Sequence, residues 1–348
     1  MVIFDTTDFW NKDYWLVSIQ IRQWPFCRLP RNDTWNDVPT KIPQLWTALY
    51  FALPIMLIRL IWEAVIGIKL GHLLGYIHGS PNAAAIDHIF GGFARQTKRK
   101  KVLETFWRFT AYAFLFTFGC YVLHDKPWLY NTHHAFIAYP RHQIETDVWL
   151  YYMIQMGFYI SLLIGSITDV RRSDFWEMFI HHIVTISLLS FSWTVNFVRL
   201  GSLILLSHDL SDPFLEGAKL IRYTRRFPGL ANVVFVVFLI CWTVTRLIYF
   251  PFVLVLTGIC DGPALIQPDY EVFNLSQKPY APRVLLFLLL CLMVLHIFWT
   301  YLIFKIVIRA LRSGEAADVR SDSEESEDID GETKQKILRK RRLAKKTD

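Results

Sequence analysis

Long apolar runs that carry few charges recur along almost the whole chain, and no other feature limits its possible folds as strongly. About 20 apolar residues, each advancing an α-helix by about 1.5 Å, are enough to cross the hydrocarbon core of a bilayer. Seven runs approach this length, near residues 44–66, 105–123, 148–168, 175–195, 200–217, 232–257 and 283–308. Because lipid offers backbone amides no hydrogen-bonding partner, the sequence predicts an all-α, polytopic membrane helix bundle of about seven transmembrane helices.

Two of these runs are weaker than the rest because they contain ionisable residues. The composition as a whole is that of a membrane protein, since 53% of residues are hydrophobic and only 19% are charged. The first run nevertheless contains Arg59 and Glu63. The fifth contains four ionisable residues, which are His208, Asp209, Asp212 and Glu216.

Basic residues are distributed unevenly between the predicted loops, and this predicts the orientation of the bundle. The loops after the first, third and fifth runs contain eleven of them: Arg95, Lys98, Arg99, Lys100, Lys101, Arg171, Arg172, Lys219, Arg222, Arg225 and Arg226. The alternate loops contain five, which are Lys126, Arg141, Arg199, Lys278 and Arg283. Since cytoplasmic loops are enriched in Lys and Arg, the N-terminus is predicted to be lumenal and the C-terminus cytosolic.

The same patterns divide the chain into four parts. Residues 1–43 are predicted to be a lumenal N-terminal segment, and residues 44–98 comprise the first transmembrane helix with its cytosolic loop. Residues 99–312 form the main transmembrane domain. Residues 313–348 are first acidic and then basic, with almost no apolar content, so we predict a disordered cytosolic tail.

Short motifs predict modification and location. The sequons at Asn32 and Asn274 fall in segments predicted to be lumenal, where N-glycosylation occurs. The tail contains serines among carboxylates, which indicates either acidophilic-kinase phosphorylation sites or a solubilising spacer. They are Ser321, Ser323 and Ser326. The chain ends in KKTD, which resembles a dilysine retrieval signal and predicts a multi-pass protein of the endoplasmic reticulum membrane.

Ionisable groups cluster in the middle runs at a similar predicted depth. His181 and His182 lie in the fourth run, and Asp209 and Asp212 lie in the fifth, on the other side of a short turn at Asn196. Inserting a charged side chain at the centre of a transmembrane helix costs about 2.5–3.5 kcal/mol, so a cluster of such side chains requires an explanation. Asp209, Asp212 and Glu216 are spaced i, i+3 and i+7, which predicts one helix face.

Such a cluster of acids and bases favours acyl or proton transfer near the cytosolic face. The sequence alone leaves two other interpretations of this cluster open. The polar groups could hold helices together, or they could bind a metal. One HH pair and one HDxxD motif are fewer than the several histidine boxes of membrane di-iron enzymes, so no metal site is predicted.

One segment resembles a known family. Residues 171–223, RRSDFWEMFIHHIVTISLLSFSWTVNFVRLGSLILLSHDLSDPFLEGAKLIRY, are similar to the signature region of the longevity-assurance ceramide synthases, which belong to the TLC-domain superfamily. The resemblance implies a sphingosine N-acyltransferase that transfers a fatty acyl group from acyl-CoA to a sphingoid base, with acyl-CoA as co-substrate and no bound cofactor. It makes 99–312 the TLC-type catalytic domain. Hallmark residues map onto His181, His182, His208, Asp209 and Asp212.

The reaction implied by the resemblance gives the polar residues candidate roles. His181 or His182 would deprotonate the amine or carry the acyl group, and Asp209 or Asp212 would orient the imidazole. Arg246 would support the site or pair with a buried acid, and Asn196 belongs to the same signature. Five arginines could bind the CoA phosphates, namely Arg171, Arg172, Arg222, Arg225 and Arg226.

Other expectations concern partners. In the family, the loop before the last helix, here 258–281, influences acyl-chain length. Many animal members have a homeobox-like insert, whereas loop 71–103 contains nothing similar, so no nucleic-acid binding is predicted. The partners are then acyl-CoA, a sphingoid base and the bilayer, with a homo- or heterodimer left open. The alternative is a non-enzymatic lipid sensor or translocon-associated protein of the same superfamily.

Overall fold

The computed structural model describes residues 42–313 except 76, 78, 225–226, 263–270, 275 and 278–279. All regular secondary structure in these residues is helical, so the predicted fold class is confirmed. We number the main helices α1 (Ile42–Leu73), α2 (Pro81–Ile89), α3 (Lys98–Leu123), α4 (Thr146–Gly165), α5 (Phe175–Thr194), α6 (Val198–Asp209), α7 (Asp212–Thr224), α8 (Pro228–Asp261) and α9 (Ala281–Ser313). Within the described residues, α1, α3, α4, α5, α8 and α9 are long and apolar enough to cross a membrane.

The fifth apolar run differs from its prediction, because it forms two helices instead of one. Helix α6 ends at Asp209 and α7 begins at Asp212. Pro213 follows in the first turn of α7, where its missing N–H is tolerated, and it restricts the backbone of the residue before it. Together α6 and α7 return the chain from the turn after α5 to the loop before α8, so this pass through the bundle is a broken helix.

The two ends of the bundle have different chemistry. One end contains loops 91–97 and 166–174 and the last turn of α7, and we call it the basic end. Gln96 ties the two loops together, since its Nε2 donates to the carbonyl of Asp169 at 3.0 Å. The other end, which we call the opposite end, contains residues 124–145, the turn at 195–197 and the described residues between 271 and 280. The uneven Lys and Arg distribution predicts that the basic end faces the cytosol.

The charges of the first run are explained by a buried ion network at the basic end. Arg59 contacts Glu63 at 2.8 Å and Asp169 at 2.5 Å. The carboxylate of Glu63 also contacts the ammonium of Lys100 at 2.8 Å, and Arg108 contacts Asp169 at 3.0 Å. Since removing one member would leave a buried charge without compensation, the network fixes α1 and loop 166–174 against α3.

Asn196 lies in the turn at the opposite end and has a positive φ of 59°. Its side chain is buried, and Nδ2 donates to the carbonyls of Pro140 at 2.6 Å and His142 at 3.2 Å. Asparagine tolerates this left-handed conformation better than most residues. The structure therefore places Asn196 where it fixes the α5–α6 turn, 14 residues after His182.

Candidate active site

The adjacent histidines lie on α5 and point in different directions. His182 is buried and His181 is half-buried, with 5.6 Å between their ring centroids. Neither Nδ1 atom has a hydrogen-bond partner. Trp299 from α9 stands edge-on to His181 at 5.3 Å, and its Nε1 donates to Asp174 at 3.3 Å. A tryptophan held in this way limits how far the His181 ring can rotate.

A first cavity of about 210 Å³ lies beside both histidines and extends to the basic end. Its walls come from α3, α4, α5, α7, α8, α9 and loop 166–174. Its charged lining residues are Arg108, Asp169, Arg172, Asp174, Asp212, Glu216, Lys219, Arg222 and Arg246. Burial raises the pKa of Asp169, but Arg59 and Arg108 outweigh this effect and hold it below its usual value. This cavity can therefore accommodate a polar, charged group.

A second cavity extends from His181 toward the opposite end, and its lining is mostly apolar. Leu188, Leu205 and Leu289 are among its wall residues, and Phe136 and Val272 lie at the opposite end. Its volume is about 80 Å³, which is smaller than a long acyl chain, so a long chain would have to displace some of these side chains. Among the residues that the structure describes, only His181 and Tyr159 line both cavities.

Arg246 pairs with Asp212, which is half-buried. Its Nη2 atom donates to Asp212 Oδ1 at 3.0 Å and to the carbonyl of His208 at 2.7 Å. Its Nη1 atom contacts His296 Nε2 at 3.3 Å. The guanidinium of α8 thus bridges the break between α6 and α7 and holds it against α9.

The two aspartates of the HDxSD motif occupy different environments. Asp209 lines neither cavity, and its Oδ2 accepts a hydrogen bond from Gln155 of α4. Asp212 and Glu216 line the first cavity. The expectation of one common helix face is therefore wrong, because the chain leaves the helix between Asp209 and Asp212. No hydrogen bond joins His181 or His182 to either aspartate in the described part of the chain; Gln155 donates to Asp209, and Ser211 and Arg246 donate to Asp212.

Comparison with known proteins shows the family. The family model of the TLC domain matches residues 101–305. Ceramide synthase hyl-1 of Caenorhabditis elegans is 46% identical in an alignment over 327 residues, and the alignment covers 90% of this chain and 84% of that protein. The chain belongs to the ceramide synthase family. Ceramide synthase hyl-2 of the same organism is 36% identical over 85% of this chain and 92% of its own length. Human ceramide synthase 5 is 39% identical over 66% of this chain and 57% of its own length.

The structure brings only some of the predicted site residues of this ceramide synthase family member together. His181, His182, Asp212 and Arg246 line the first cavity, and His208 lines the second. Neither cavity is lined by Asp209 or Asn196. Across the residues that the structure describes, no group of three His, Cys, Asp or Glu side chains is arranged to hold a metal ion.

The arginines predicted to bind phosphate do not all lie in the same place. Arg172 and Arg222 line the first cavity, whereas Arg171 is exposed outside it and lies over the Phe175 ring at 5.4 Å. Arg225 and Arg226 lie outside the described residues, as do the sequon at Asn32 and the three tail serines. The other sequon residue, Asn274, is exposed at the opposite end.

Several residues that lie near the histidines in the structure were not predicted from the sequence, mainly Tyr159, Trp299 and Arg108. Tyr159 shares a face of α4 with Tyr151 and Gln155, at i, i+4 and i+8. That polar stripe in an otherwise apolar helix was the available signal. Trp299 carries no such signal, because a tryptophan in an apolar run is ordinary in a membrane helix.

Proposed function

We propose that this chain is an acyl-CoA-dependent sphingosine N-acyltransferase, which joins a fatty acyl group to a sphingoid base to give ceramide or dihydroceramide. One observation carries the proposal: His181 lies where a charged cavity meets an apolar one. A long-chain acyl-CoA has the same division, with a phosphorylated head on one side of its thioester and an alkyl chain on the other. The names of the relatives support this activity over a non-enzymatic lipid sensor.

The histidine pair suits the chemistry of this transfer. The amine of a sphingoid base is mostly protonated at neutral pH, so a base is required, and imidazole is the side chain best matched to that pH. The ammonium first loses one proton to solvent through the imidazole, and the neutral amine nitrogen then attacks the thioester carbonyl carbon. The imidazole takes a second proton from the attacking nitrogen, the C–S bond breaks, and the departing thiolate receives that proton from the imidazolium. In the covalent variant, one imidazole accepts the acyl group first and the amine then displaces it.

Arg172 is the best-placed cation for the CoA phosphates. It lines the first cavity, and its buried Nε and Nη2 atoms have no hydrogen-bond partner. Arginine forms bidentate, charge-assisted hydrogen bonds with phosphate oxygens, so a ligand phosphate would satisfy these donors. Arg222 lines the same cavity, which places a second cation beside it.

The arginine assignment makes a specific prediction. We expect Arg172→Gln to raise the KM for acyl-CoA about tenfold or more, since a charge-assisted hydrogen bond is worth about 1.5–3 kcal/mol. The turnover number should change by less than about threefold. Arg171→Gln is the matched control, because Arg171 is exposed outside the cavity. Equal effects of the two variants on KM would contradict the assignment.

We also propose that the protein lies in the endoplasmic reticulum membrane with its basic end in the cytosol, where acyl-CoA is dissolved. The Lys and Arg distribution supports this orientation. Exposed Asn274 would then face the lumen, and its Oδ1 accepts a hydrogen bond from the sequon hydroxyl of Ser276 at 2.7 Å. Glycosylation at Asn32, phosphorylation of the tail and dimer formation remain predictions from the sequence.

The activity is tested with the purified full-length chain in detergent or nanodiscs. Incubation with sphinganine and palmitoyl-CoA should yield the N-acyl amide and free CoA in equal amounts, quantified by mass spectrometry and thiol titration. The double variant His181→Ala/His182→Ala is the negative control. Binding of both substrates without amide formation would instead support a lipid sensor.

A further inference from the structure

Tyr159 differs from the other deeply buried tyrosines of the described residues, because its hydroxyl has no protein partner. Four tyrosines in this part of the chain are buried. Tyr139 donates to the carbonyl of Val195, Tyr151 accepts from Gln155, and Tyr152 is hydrogen-bonded to Ser192. Hydroxyls of buried residues are normally hydrogen-bonded, so one without a protein hydrogen bond on the wall of a cavity is suited to bind a ligand atom.

The position of Tyr159 is also specific. It is one of two described residues that line both cavities, and the other is His181. Its ring centroid lies 6.2 Å from that of His181 and 6.3 Å from that of His182. Tyr112 and Thr185 also carry hydroxyls for which the structure shows no partner, but each lines one cavity only.

If the proposed function holds, a hydrogen-bond donor is needed where the two cavities meet. With the alkyl chain in the second cavity and the CoA in the first, the thioester carbonyl lies between them, beside the histidines. Attack by the amine turns the carbonyl oxygen into an oxyanion, which a preorganised donor stabilises. Both Nη atoms of Arg246 are already bonded, to Asp212, the carbonyl of His208 and His296. Its Nε has no hydrogen-bond partner, but Arg246 lines the first cavity only. Of the two described residues that line both cavities, Tyr159 is the one that carries a hydroxyl donor.

We propose that Tyr159 is a catalytic residue whose hydroxyl donates a hydrogen bond to the acyl carbonyl oxygen as it becomes an oxyanion; this rests on the proposed function. The C–N bond forms while the carbonyl electrons move to oxygen, and Tyr159 keeps its proton throughout. When the carbonyl re-forms, the C–S bond breaks and the thiolate takes the proton from the imidazolium. If an imidazole carries the acyl group first, the same oxyanion forms in each half-reaction.

The test compares Tyr159→Phe with Tyr139→Phe in the full-length purified protein. Tyr139 is also buried, but its hydroxyl is paired with the carbonyl of Val195 and it lines neither cavity, so it is a matched control. We expect Tyr159→Phe to lower the turnover number about 100-fold, the usual effect of removing one oxyanion donor, with KM values within about threefold. Tyr139→Phe should retain turnover within about threefold.

A second readout separates catalysis from structure. An S-alkyl-CoA thioether has no carbonyl oxygen, so it should bind to wild type and Tyr159→Phe with equal affinity, and the melting temperature should be unchanged. Turnover of Tyr159→Phe within threefold of wild type would overturn the inference, and so would a matching loss of thioether affinity or of melting temperature. Wild-type protein without amide-forming activity would instead refute the proposed function itself.

Discussion

Replacing either histidine of the pair with alanine should lower the turnover number by about 100-fold to 10,000-fold, the range for loss of a general base. Both imidazoles line the first cavity, and their Nδ1 atoms have no hydrogen-bond partner, so neither ring is tied into the helix packing through that atom. The loss should appear in turnover and not in acyl-CoA affinity. The measurement is initial-rate kinetics by mass spectrometry, with melting temperature recorded for each variant.

His133→Ala is the control for the histidine variants. His133 is exposed at the opposite end and lines neither cavity, so its replacement should leave turnover within about threefold of wild type. Full activity of both His181→Ala and His182→Ala would remove the histidine pair from the reaction. Intact-protein mass after mixing with acyl-CoA alone distinguishes the two mechanisms, because only the covalent variant adds the mass of the acyl group.

Filling the second cavity should change which acyl chains react. Gly258 lines this cavity, and a Cβ atom added there would meet only Leu200 Cδ2, at 3.8 Å. A phenylalanine at this position would occupy the space with little strain at its Cβ. We expect Gly258→Phe to lower turnover with the longest accepted acyl-CoA at least about tenfold, because each methylene excluded from an apolar site loses about 0.8 kcal/mol.

The chain-length experiment uses a mixed acyl-CoA pool and mass spectrometry of the products. Short-chain products should persist in Gly258→Phe, so the product profile shifts toward shorter chains. Gly229→Phe is the control, since a Cβ at Gly229 has no atom within 4 Å and this residue lines neither cavity. A uniform loss of all products, or the same shift in the control, would contradict the assignment of the second cavity to the acyl chain.

The class of fold could be predicted from the sequence because transmembrane helices depend on local composition. Six of the seven apolar runs correspond to helices long enough to span a membrane. The break at Leu210 and Ser211 was not predicted, although Pro213 and the polar residues around it are visible in the sequence. Apolar length alone does not show where a helix is interrupted, because a broken pass keeps its average hydrophobicity.

The site could be predicted only as a set of residues and not as an arrangement. Helical spacing placed Asp209 and Asp212 on one face, which holds only for an uninterrupted helix. In the structure, Gln155 and Arg246 bind these carboxylates from other helices, and nothing in the local sequence specifies those partners. The charges at Arg59 and Glu63 weakened the first run for a similar reason: the two residues pair with each other at i and i+4, but the rest of their compensation comes from Lys100 and Asp169, distant in sequence.

The location of the acyl chain tests the account most directly. A structure of the full-length protein with an S-alkyl-CoA thioether would place the chain, the sulfur and the phosphates in a single experiment. We expect the alkyl chain in the second cavity, the sulfur beside His181 and Tyr159, and a phosphate against Arg172. An alkyl chain in the first cavity, or a ligand that does not contact His181, would contradict the account.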